Sequence, residues 1–288
     1  MWQGLSFRGR ILCFMDTTKL TLAEIGRLIK NTAGVDRELH DALRNDDRIG
    51  AREFFHVLSR RLECEVVEAC RLRAMYEREE MLAARGVGPV AGLDEAGRGP
   101  LAGPVVAAAV VLPVERFIPG LNDSKKLSPA RREQTAAEIC NQAEAWAIAV
   151  ASVTEIERYN ILGATFLAMR RAIRLLSVPP RRLLVDGNLE IRGIHIPQST
   201  LVDGDAKCAS IAAASILAKV WRDRLMVRCH EAFPEYGFDR NKGYGTREHC
   251  EDIIRFGPTP IHRGQFIAGL ISTRTPKIAI PAGFRLNG

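Results

Sequence analysis

The sequence lacks the features that mark several large classes of protein. No apolar run among its 288 residues approaches the roughly 20 residues that span a bilayer, so we expect no membrane association. The seven cysteines form no C-x-x-C pair, which argues against a disulfide framework or a zinc site and favours a reducing cytoplasm. The N-terminus has neither the apolar core nor the cleavage site of a signal peptide, and Met15 could be an alternative start.

Positive charge is concentrated in the later part of the chain. The formal net charge is +7, and residues 1–88 hold 15 Lys and Arg against 14 Asp and Glu, whereas residues 89–288 hold 26 against 20. A basic surface attracts the phosphates of nucleic acids, although a modest excess of Lys and Arg is also common on soluble proteins. Charge alone therefore leaves open both a nucleic-acid partner and an ordinary solvated surface.

The pattern of apolar residues changes from helical to strand-like near residue 89. This change predicts two domains, a helical N-terminal extension over residues 1–88 and a second domain over residues 89–288. In the first, Thr21 and Glu24 form a capping box that opens a helix. A second, proline-free segment has apolar residues every three or four positions, which predicts a long amphipathic helix. It ends at Gly86, and glycine is typical of helix C-caps.

The second domain has the pattern of an α/β fold. Strands are predicted at residues 89–95, 104–113, 145–153, 181–188 and 194–202. Ser128 and Pro129 open a helix between the second and third strands, and a capping box of Thr154 and Glu157 opens a long helix after the third. Another long helix, at 207–233, follows the fifth strand. This order predicts one mixed five-stranded sheet flanked by helices.

Acidic residues follow the ends of several predicted strands. They are Asp94, Glu95, Asp186 and Asp205. Because strand ends can meet in one crevice, these carboxylates could form one cluster. Such a cluster is stable only with cations among the carboxylates, and oxygen ligands without Cys or His indicate Mg²⁺ or Mn²⁺. Two such ions would activate water and stabilise the leaving oxygen in phosphodiester cleavage.

Each of these acids also has a simpler explanation. Asp followed by Gly, as at Asp186, is typical of a turn, and Asp205 could lie in a turn or near a helix N-cap. In a regular strand, Asp94 and Glu95 point to opposite faces. Both reach one site only if the chain distorts, which the glycines after them allow.

The segment Gly97-Arg98-Gly99 has two possible roles. Its backbone N–H groups and its guanidinium could contact a phosphate, or it could be a tight turn with a surface arginine. Its spacing does not match G-x-G-x-x-G, which excludes a dinucleotide site of that type.

Six blocks in order resemble the ribonuclease HII family over about residues 89–270. They are GLDEAGRGPLAGPVVAAAVVL, LNDSKKLSP, LLVDGN, GDAKCASIAAASILAKVWRDRLM, GYGTREH and GPTPIHRGQF. The resemblance implies a ribonuclease H-like sheet and metal-dependent cleavage of RNA paired to DNA. It also implies cleavage on the 5′ side of ribonucleotides embedded in duplex DNA, which leaves 3′-hydroxyl and 5′-phosphate ends and serves their removal.

The resemblance also implies roles for individual residues. The acidic cluster is Asp94, Glu95, Asp186 and Asp205, of which the first three match the metal-binding core. The residues that would contact the substrate are Gly97, Arg98, Gly99, Ser124, Lys125, Lys126 and Tyr244. The glycine–arginine segment matches the part that senses the 2′-OH, which distinguishes RNA from DNA, and the tyrosine matches one that stacks on the following deoxyribose. Without the resemblance, the two lysines fit an ordinary solvated loop.

Some features lie outside these assignments. Asp203 is an unusual acid for the family at its position and could alter metal affinity or face solvent. Asp223 fits a surface ion pair better than a metal site, and His262 fits a structural role better than a catalytic one. The helical extension is outside the core resemblance and could grip the duplex or bind a partner. Ribonuclease HIII has a different N-terminal domain and lacks the glycine–arginine segment, so the resemblance is to HII.

Two other functions fit parts of the pattern. A non-catalytic nucleic-acid-binding protein would use the basic surface alone, but intact acids at all four positions argue against it. A different metal nuclease, such as a junction resolvase, would cut all-DNA substrates. We expect a cytoplasmic monomer.

Overall fold

The computed structural model describes residues 16–32 and 34–271. These fall into two compact units that divide between Arg71 and Leu72. The domain boundary at residue 88 stays a prediction. Within the described residues, no helix combines the length and the apolar composition needed to cross a membrane.

The first unit is a small group of helices with its own core. Its elements are a 3-10 helix (Thr17–Lys19), α1 (Leu22–Asn31), α2 (Arg37–Arg44) and the first part of α3 (Ile49–Ala84). The predicted capping box is confirmed, because Thr21 Oγ1 accepts the Glu24 N–H at 3.3 Å and Glu24 Oε2 accepts the Thr21 N–H at 2.8 Å. The buried core consists of Ile25, Ile29, Leu39, Leu43, Ala51 and Leu58.

The last turns of α3 pack within the second unit. Leu72, Met75 and Tyr76 are buried in the same cluster as one face of the sheet. Tyr76 is fully buried, and its hydroxyl accepts a hydrogen bond from the Ile118 N–H at 3.2 Å. The prediction that Gly86 ends this helix is confirmed by its positive φ of 70° and by its N–H, which donates to a carbonyl of the last turn.

The predicted mixed sheet of five strands is confirmed. Its strands are β1 (Val90–Ala96), β2 (Val105–Val111), β3 (Ala145–Ala151), β4 (Arg182–Asp186) and β5 (Gln198–Leu201). Their spatial order is β3-β2-β1-β4-β5, with β1 antiparallel to β2 and parallel to β4. Leu93 pairs with Val185, so Asp94 and Asp186 follow at neighbouring strand ends on the same edge of the sheet.

Helices cover both faces of this sheet. They are α4 (Pro129–Gln142), α5 (Val153–Leu175), α6 (Gly204–Lys207), α7 (Ala209–Ala232), α8 (Phe238–Asn241), α9 (Arg247–Phe256) and α10 (Gly264–Ile267), with a second 3-10 helix at Pro234–Tyr236. Helix α5 packs on one face, and α4, α7 and the end of α3 pack on the other. Strand β2 is therefore buried on both faces, as its uninterrupted apolar sequence predicts.

The predicted capping box at the start of α5 is wrong by two residues. Thr154 and Glu157 do not form it; Ser152 and Glu155 do. Ser152 Oγ accepts the Glu155 N–H at 3.2 Å, and Glu155 Oε2 accepts the Ser152 N–H at 2.9 Å. The carboxylate of Glu155 also binds the Arg171 guanidinium at 2.5 Å. This tertiary ion pair favours the earlier box over an equally suitable sequence two residues later.

Two long helices differ in detail from the prediction. The helix predicted at 207–233 is confirmed as α7, but it begins two residues later because the extended backbone of Cys208 separates it from α6. Helix α5 is interrupted at Asn160, which has a φ of 59°. The Asn160 side chain accepts the Gly163 N–H at 3.0 Å, so it caps the helical turns that follow the interruption.

Candidate active site

A cavity of about 270 Å³ opens where β1 and β4 end. Asp94, Glu95 and Asp186 all line it. Asp94 is only 6% exposed, and its Oδ1 accepts a hydrogen bond from the Glu95 N–H at 2.7 Å. Parallel pairing of β1 and β4 thus brings carboxylates from distant parts of the sequence to one place.

Gly97 lets the chain leave the sheet directly after these acids. Its φ is +95°, and a Cβ at this position would lie 2.0 Å from Arg222 Nε. No other residue type fits both constraints. Asp94 and Glu95 are still paired with β2, opposite Ala108 and Ala107, in the last residues of β1, and both nevertheless line the cavity.

The carboxylates of this cavity are buried and repel one another. Burial raises the pKa of Asp94 well above its usual range, and repulsion from Glu95 and Asp186 raises it further. Burial also raises the pKa of Glu95, although the Arg98 guanidinium, at 3.1 Å, opposes that shift. Burial raises the pKa of Asp186, whose Oδ1 accepts the Gly204 N–H at 2.8 Å. Such a cluster is stabilised by any cation that enters it.

Asp205 does not line the cavity, but it is close enough to Asp186 to repel that carboxylate, whereas Asp203 is exposed. Asp205 is 6% exposed, and its Oδ2 lies 3.2 Å from Lys125 Nζ. The side chain of Asp203 is 75% exposed and lies 3.8 Å from Lys207 Nζ. Of the two alternatives for Asp203, the structure favours the one in which it faces solvent.

Most of the predicted substrate-binding residues line the same cavity. They are Gly97, Arg98, Gly99, Ser124, Lys125 and Tyr244. Ser124 Oγ lies 3.0 Å from Ser215 Oγ, within the wall of the cavity. Lys126 does not line it; its side chain is exposed, and its N–H donates to the Asp123 carbonyl at 3.0 Å.

Comparison with known proteins identifies the family. A family profile described as ribonuclease HII matches residues 91–268. The chain belongs to the ribonuclease HII family. It is therefore an enzyme of the ribonuclease H type.

Relatives match the chain over most of their own length. The ribonuclease HII of Pelotomaculum thermopropionicum is 49% identical over 249 residues, which cover 86% of this chain and 93% of that protein. The ribonuclease HII of Moorella thermoacetica is 56% identical over 196 residues, 68% of this chain and 95% of that protein. An alignment of 249 residues does not fit within residues 89–288, so similarity reaches into the helical extension.

Solved structures support the fold. The ribonuclease H2 of Pyrococcus horikoshii OT3 has a TM-score of 0.52 and 26% identity, and the match covers 61% of this chain and 92% of that one. The ribonuclease HII of Archaeoglobus fulgidus, solved in complex with PCNA, has a TM-score of 0.52 and 27% identity, covering 65% of this chain and 98% of that one.

The candidate site also contains two side chains that sequence reasoning missed. Ser215 and Lys219, on α7, line the cavity. Lys219 Nζ lies 5.7 Å from the centre of the Tyr244 ring and 2.7 Å from Asp223 Oδ1. The ion pair predicted for Asp223 is thus confirmed, but its partner is a cavity residue. The spacing of four between Lys219 and Asp223 was the available signal.

Two fully buried arginines hold the loop that contains Arg98. Arg263 donates to the carbonyls of Gly97 at 2.5 Å, Arg98 at 2.8 Å and Gly103 at 2.9 Å. Arg222 donates to three further carbonyls, at 3.0–3.1 Å, of Ala102, Pro104 and Lys242. Burial lowers the pKa of Arg263 to about 9. Each guanidinium serves as a cross-link between loops, a role that no local sequence pattern indicates.

Replacing Arg263 with Met is expected to destabilise the protein strongly. The variant leaves two buried carbonyls, those of Gly97 and Gly103, and the partly buried carbonyl of Arg98 without this donor, and each buried one costs about 1–3 kcal/mol. We expect a loss of about 3 kcal/mol or more in the free energy of unfolding, and a Tm roughly 10 °C lower. Thermal unfolding followed by circular dichroism measures this. The Tm of Arg263→Lys should fall between those of the wild type and Arg263→Met, because one ammonium group does not reach all three carbonyls.

The matched control is Arg247→Met, since the Arg247 side chain is 93% exposed. Its free energy of unfolding should change by less than about 0.5 kcal/mol. Equal stability of the Arg263→Met and Arg247→Met variants would show that the three carbonyl contacts do not hold the loop.

Proposed function

We propose that this enzyme cuts the RNA strand of RNA/DNA hybrids and cuts on the 5′ side of ribonucleotides embedded in duplex DNA. The products are 3′-hydroxyl and 5′-phosphate ends. The observation that carries the proposal is one cavity lined both by Asp94, Glu95 and Asp186 and by the segment from Gly97 to Gly99. The first set suits phosphodiester hydrolysis, and the second suits recognition of the sugar next to the cut.

The acids would hold Mg²⁺ or Mn²⁺. Among the described residues, no group of three or more His, Cys, Asp or Glu is already close enough to hold a metal ion. The donor chemistry fits nevertheless, because Asp94, Glu95 and Asp186 offer hard oxygen ligands whose pKa values are raised by burial. Two such ions, when bound, supply an activated water and stabilise the leaving oxygen. Asp205 would act as the fourth acid, with Lys125 beside it.

The other side of the cavity would recognise the ribonucleotide. A Cβ at Gly99 would meet no atom within 4 Å, so a sugar can approach this backbone closely. Arg98 and the adjacent backbone would sense the 2′-OH, and Tyr244, which is 43% exposed, would stack on the following deoxyribose. Ser124, Lys125 and Lys126 would contact phosphates, the last from outside the cavity. Such an activity serves the removal of misincorporated ribonucleotides.

The test uses three labelled duplexes: one with a single embedded ribonucleotide, one RNA/DNA hybrid and one of DNA alone. Each is incubated with Mg²⁺, with Mn²⁺ or with EDTA. We expect metal-dependent cutting of the first two, 5′ to the ribonucleotide in the first, and no cutting of the third. Cutting of all three would indicate a general metal nuclease. Binding without cutting would indicate a non-catalytic nucleic-acid-binding protein.

A further inference from the structure

Two buried histidines lie behind the loop that carries Tyr244. His249, on α9, is fully buried, and His262 is 5% exposed. Their Nε2 atoms are 3.1 Å apart. Tyr236 and Phe238 pack around both rings, so water is largely excluded from the pair. Neither ring lines the cavity, and the proposed function gives neither of them a role.

The hydrogen bonds at the two ends of this pair fix where each proton lies. The Thr259 N–H donates to His262 Nδ1 at 2.9 Å, so Nδ1 accepts and the proton of a neutral His262 lies on Nε2. That Nε2–H donates to His249 Nε2. The proton of His249 is then on Nδ1, which donates to the Tyr244 carbonyl at 2.8 Å. The Thr259 hydroxyl, whose Oγ1 is 2.8 Å from His262 Nδ1, can also donate to this unprotonated nitrogen.

Both histidines are neutral near pH 7. Burial lowers the pKa of His249, and burial together with His249 lowers the pKa of His262 to about 3. Asp252, also on α9, is the acidic group that acts on His249 and opposes its shift. The Tyr236 hydroxyl donates to the Gly257 carbonyl at 2.5 Å and so does not pair with either ring. The two neutral rings therefore keep complementary tautomers.

This chain of bonds ends on the backbone beneath an exposed ring. Tyr244 presents its ring to the cavity, while its carbonyl is held from behind by His249. The preceding residue, Gly243, accepts the Leu101 N–H at 2.8 Å, which ties the same loop to the chain that follows Arg98. The hydrogen bond from His249 therefore holds the Tyr244 carbonyl, while the Tyr244 N–H donates to the Asn241 carbonyl at 2.9 Å, so the backbone that carries the ring is fixed at both of its polar groups.

We propose that His249 and His262 are positioning residues that hold Tyr244 for ribonucleotide recognition through one directional hydrogen-bond chain. The inference rests on the proposed role of Tyr244 in the active site. Under this proposal the GYGTREH and GPTPIHRGQF blocks act together, because each supplies one histidine of the chain. Neither histidine touches the reacting atoms.

The decisive experiment compares two substitutions of His249 by steady-state kinetics on the duplex with one ribonucleotide. Asn places an amide near the Nδ1 position and keeps the donor to Tyr244, whereas Leu removes it. We expect His249→Leu to raise KM by about 10-fold with kcat within about two-fold, the scale of one lost hydrogen bond. His249→Asn should stay near the wild-type KM. Equal effects of Asn and Leu would overturn the proposal.

A double substitution separates this proposal from the role of Tyr244 itself. In a Tyr244→Ala background, His249→Leu should have no further effect on KM. A raised KM in Tyr244→Ala with an unchanged KM in His249→Leu overturns the positioning role alone. An unchanged KM in Tyr244→Ala overturns the proposed role of the tyrosine, and the inference with it.

Nitrogen-15 NMR of the histidine rings tests the chain without any substitution. We expect His262 protonated on Nε2 and His249 protonated on Nδ1 in the folded wild-type protein. The opposite tautomer at either residue would contradict the hydrogen-bond direction, whatever the stability of the variants.

Discussion

Asp94→Asn is expected to lower kcat on the duplex with one ribonucleotide by roughly 10³-fold or more. The Asp94 carboxylate is the most buried of the three that line the cavity, and both Glu95 and Asp186 repel it. Metal ions supply several kcal/mol of transition-state stabilisation, and about 1.4 kcal/mol corresponds to a tenfold change in rate. An amide keeps the shape but not the negative charge. Single-turnover cleavage of labelled duplex measures the loss.

The same substitution is expected to raise the Tm of the protein in EDTA. It removes a buried charge that is repelled by Glu95 and Asp186, so the metal-free fold becomes more stable. Addition of Mg²⁺ should raise the Tm of the wild type more than that of the variant, because bound metal stabilises the folded state. Loss of activity together with a higher Tm would exclude unfolding as the cause.

Asp203→Asn is the matched control for this experiment. Asp203 is also near the end of a strand, but its side chain is 75% exposed. We expect nearly unchanged activity and Tm. Wild-type cleavage by Asp94→Asn, or an equal loss in both variants, would contradict the assignment of Asp94 to the catalytic cluster.

The sequence predicts the acidic side of the site well for a physical reason. Parallel strands end at the same edge of a sheet, so Asp94 and Asp186 can be placed together once β1 and β4 are recognised. The pattern also predicts the order of elements and the burial of β2 on both faces. These features depend on the spacing of apolar residues and on the order of elements along the chain, which a sequence displays directly.

Other parts of the site depend on contacts that a sequence does not display. A buried arginine runs against the expected pattern of burial, so nothing local marks Arg222 or Arg263 as loop cross-links. The sequence also does not determine where α5 begins, because two overlapping segments both fit a capping box. The ion pair between Glu155 and Arg171 distinguishes them, and it joins residues far apart in the sequence.

Helix α3 is another element whose packing the sequence does not display. Its apolar stripe is evident from the sequence, but the stripe alone does not say which core each part of the helix joins. In the structure, the residues before Leu72 and those from Leu72 onward belong to different compact units. We therefore propose that the ribonuclease HII core begins at residue 72, earlier than the boundary at residue 88.

Two truncations distinguish these boundaries. A protein of residues 72–288 is expected to fold and to cut the embedded ribonucleotide, because it keeps every contact of the second compact unit. A protein of residues 89–288 is expected to lose about 5 kcal/mol or more of its free energy of unfolding. It lacks three buried apolar side chains, Leu72, Met75 and Tyr76, each worth roughly 1.5–3 kcal/mol. Domains of this kind have only about 5–15 kcal/mol in total. Denaturant unfolding and expression in soluble form measure the difference.

The shorter protein also loses a buried acceptor at the start of α7. Glu79 Oε1 accepts the Ser210 N–H at 2.8 Å and the Ser210 hydroxyl at 2.7 Å. Helix α7 carries Ser215 and Lys219 into the cavity, so its N-terminal anchoring bears on the site as well as on stability.

Point substitutions in the full-length chain test the same packing without truncation. Tyr76→Ala should cost about 3–5 kcal/mol, the range for a large buried aromatic side chain, because Tyr76 is fully buried. Val67→Ala, on the same helix but 68% exposed, should change the free energy of unfolding by less than about 0.5 kcal/mol. A protein of residues 89–288 as stable as that of residues 72–288 would instead support the boundary at residue 88. In that case the end of α3 would pack on the sheet without contributing to its stability, and the small cost of Tyr76→Ala would show it.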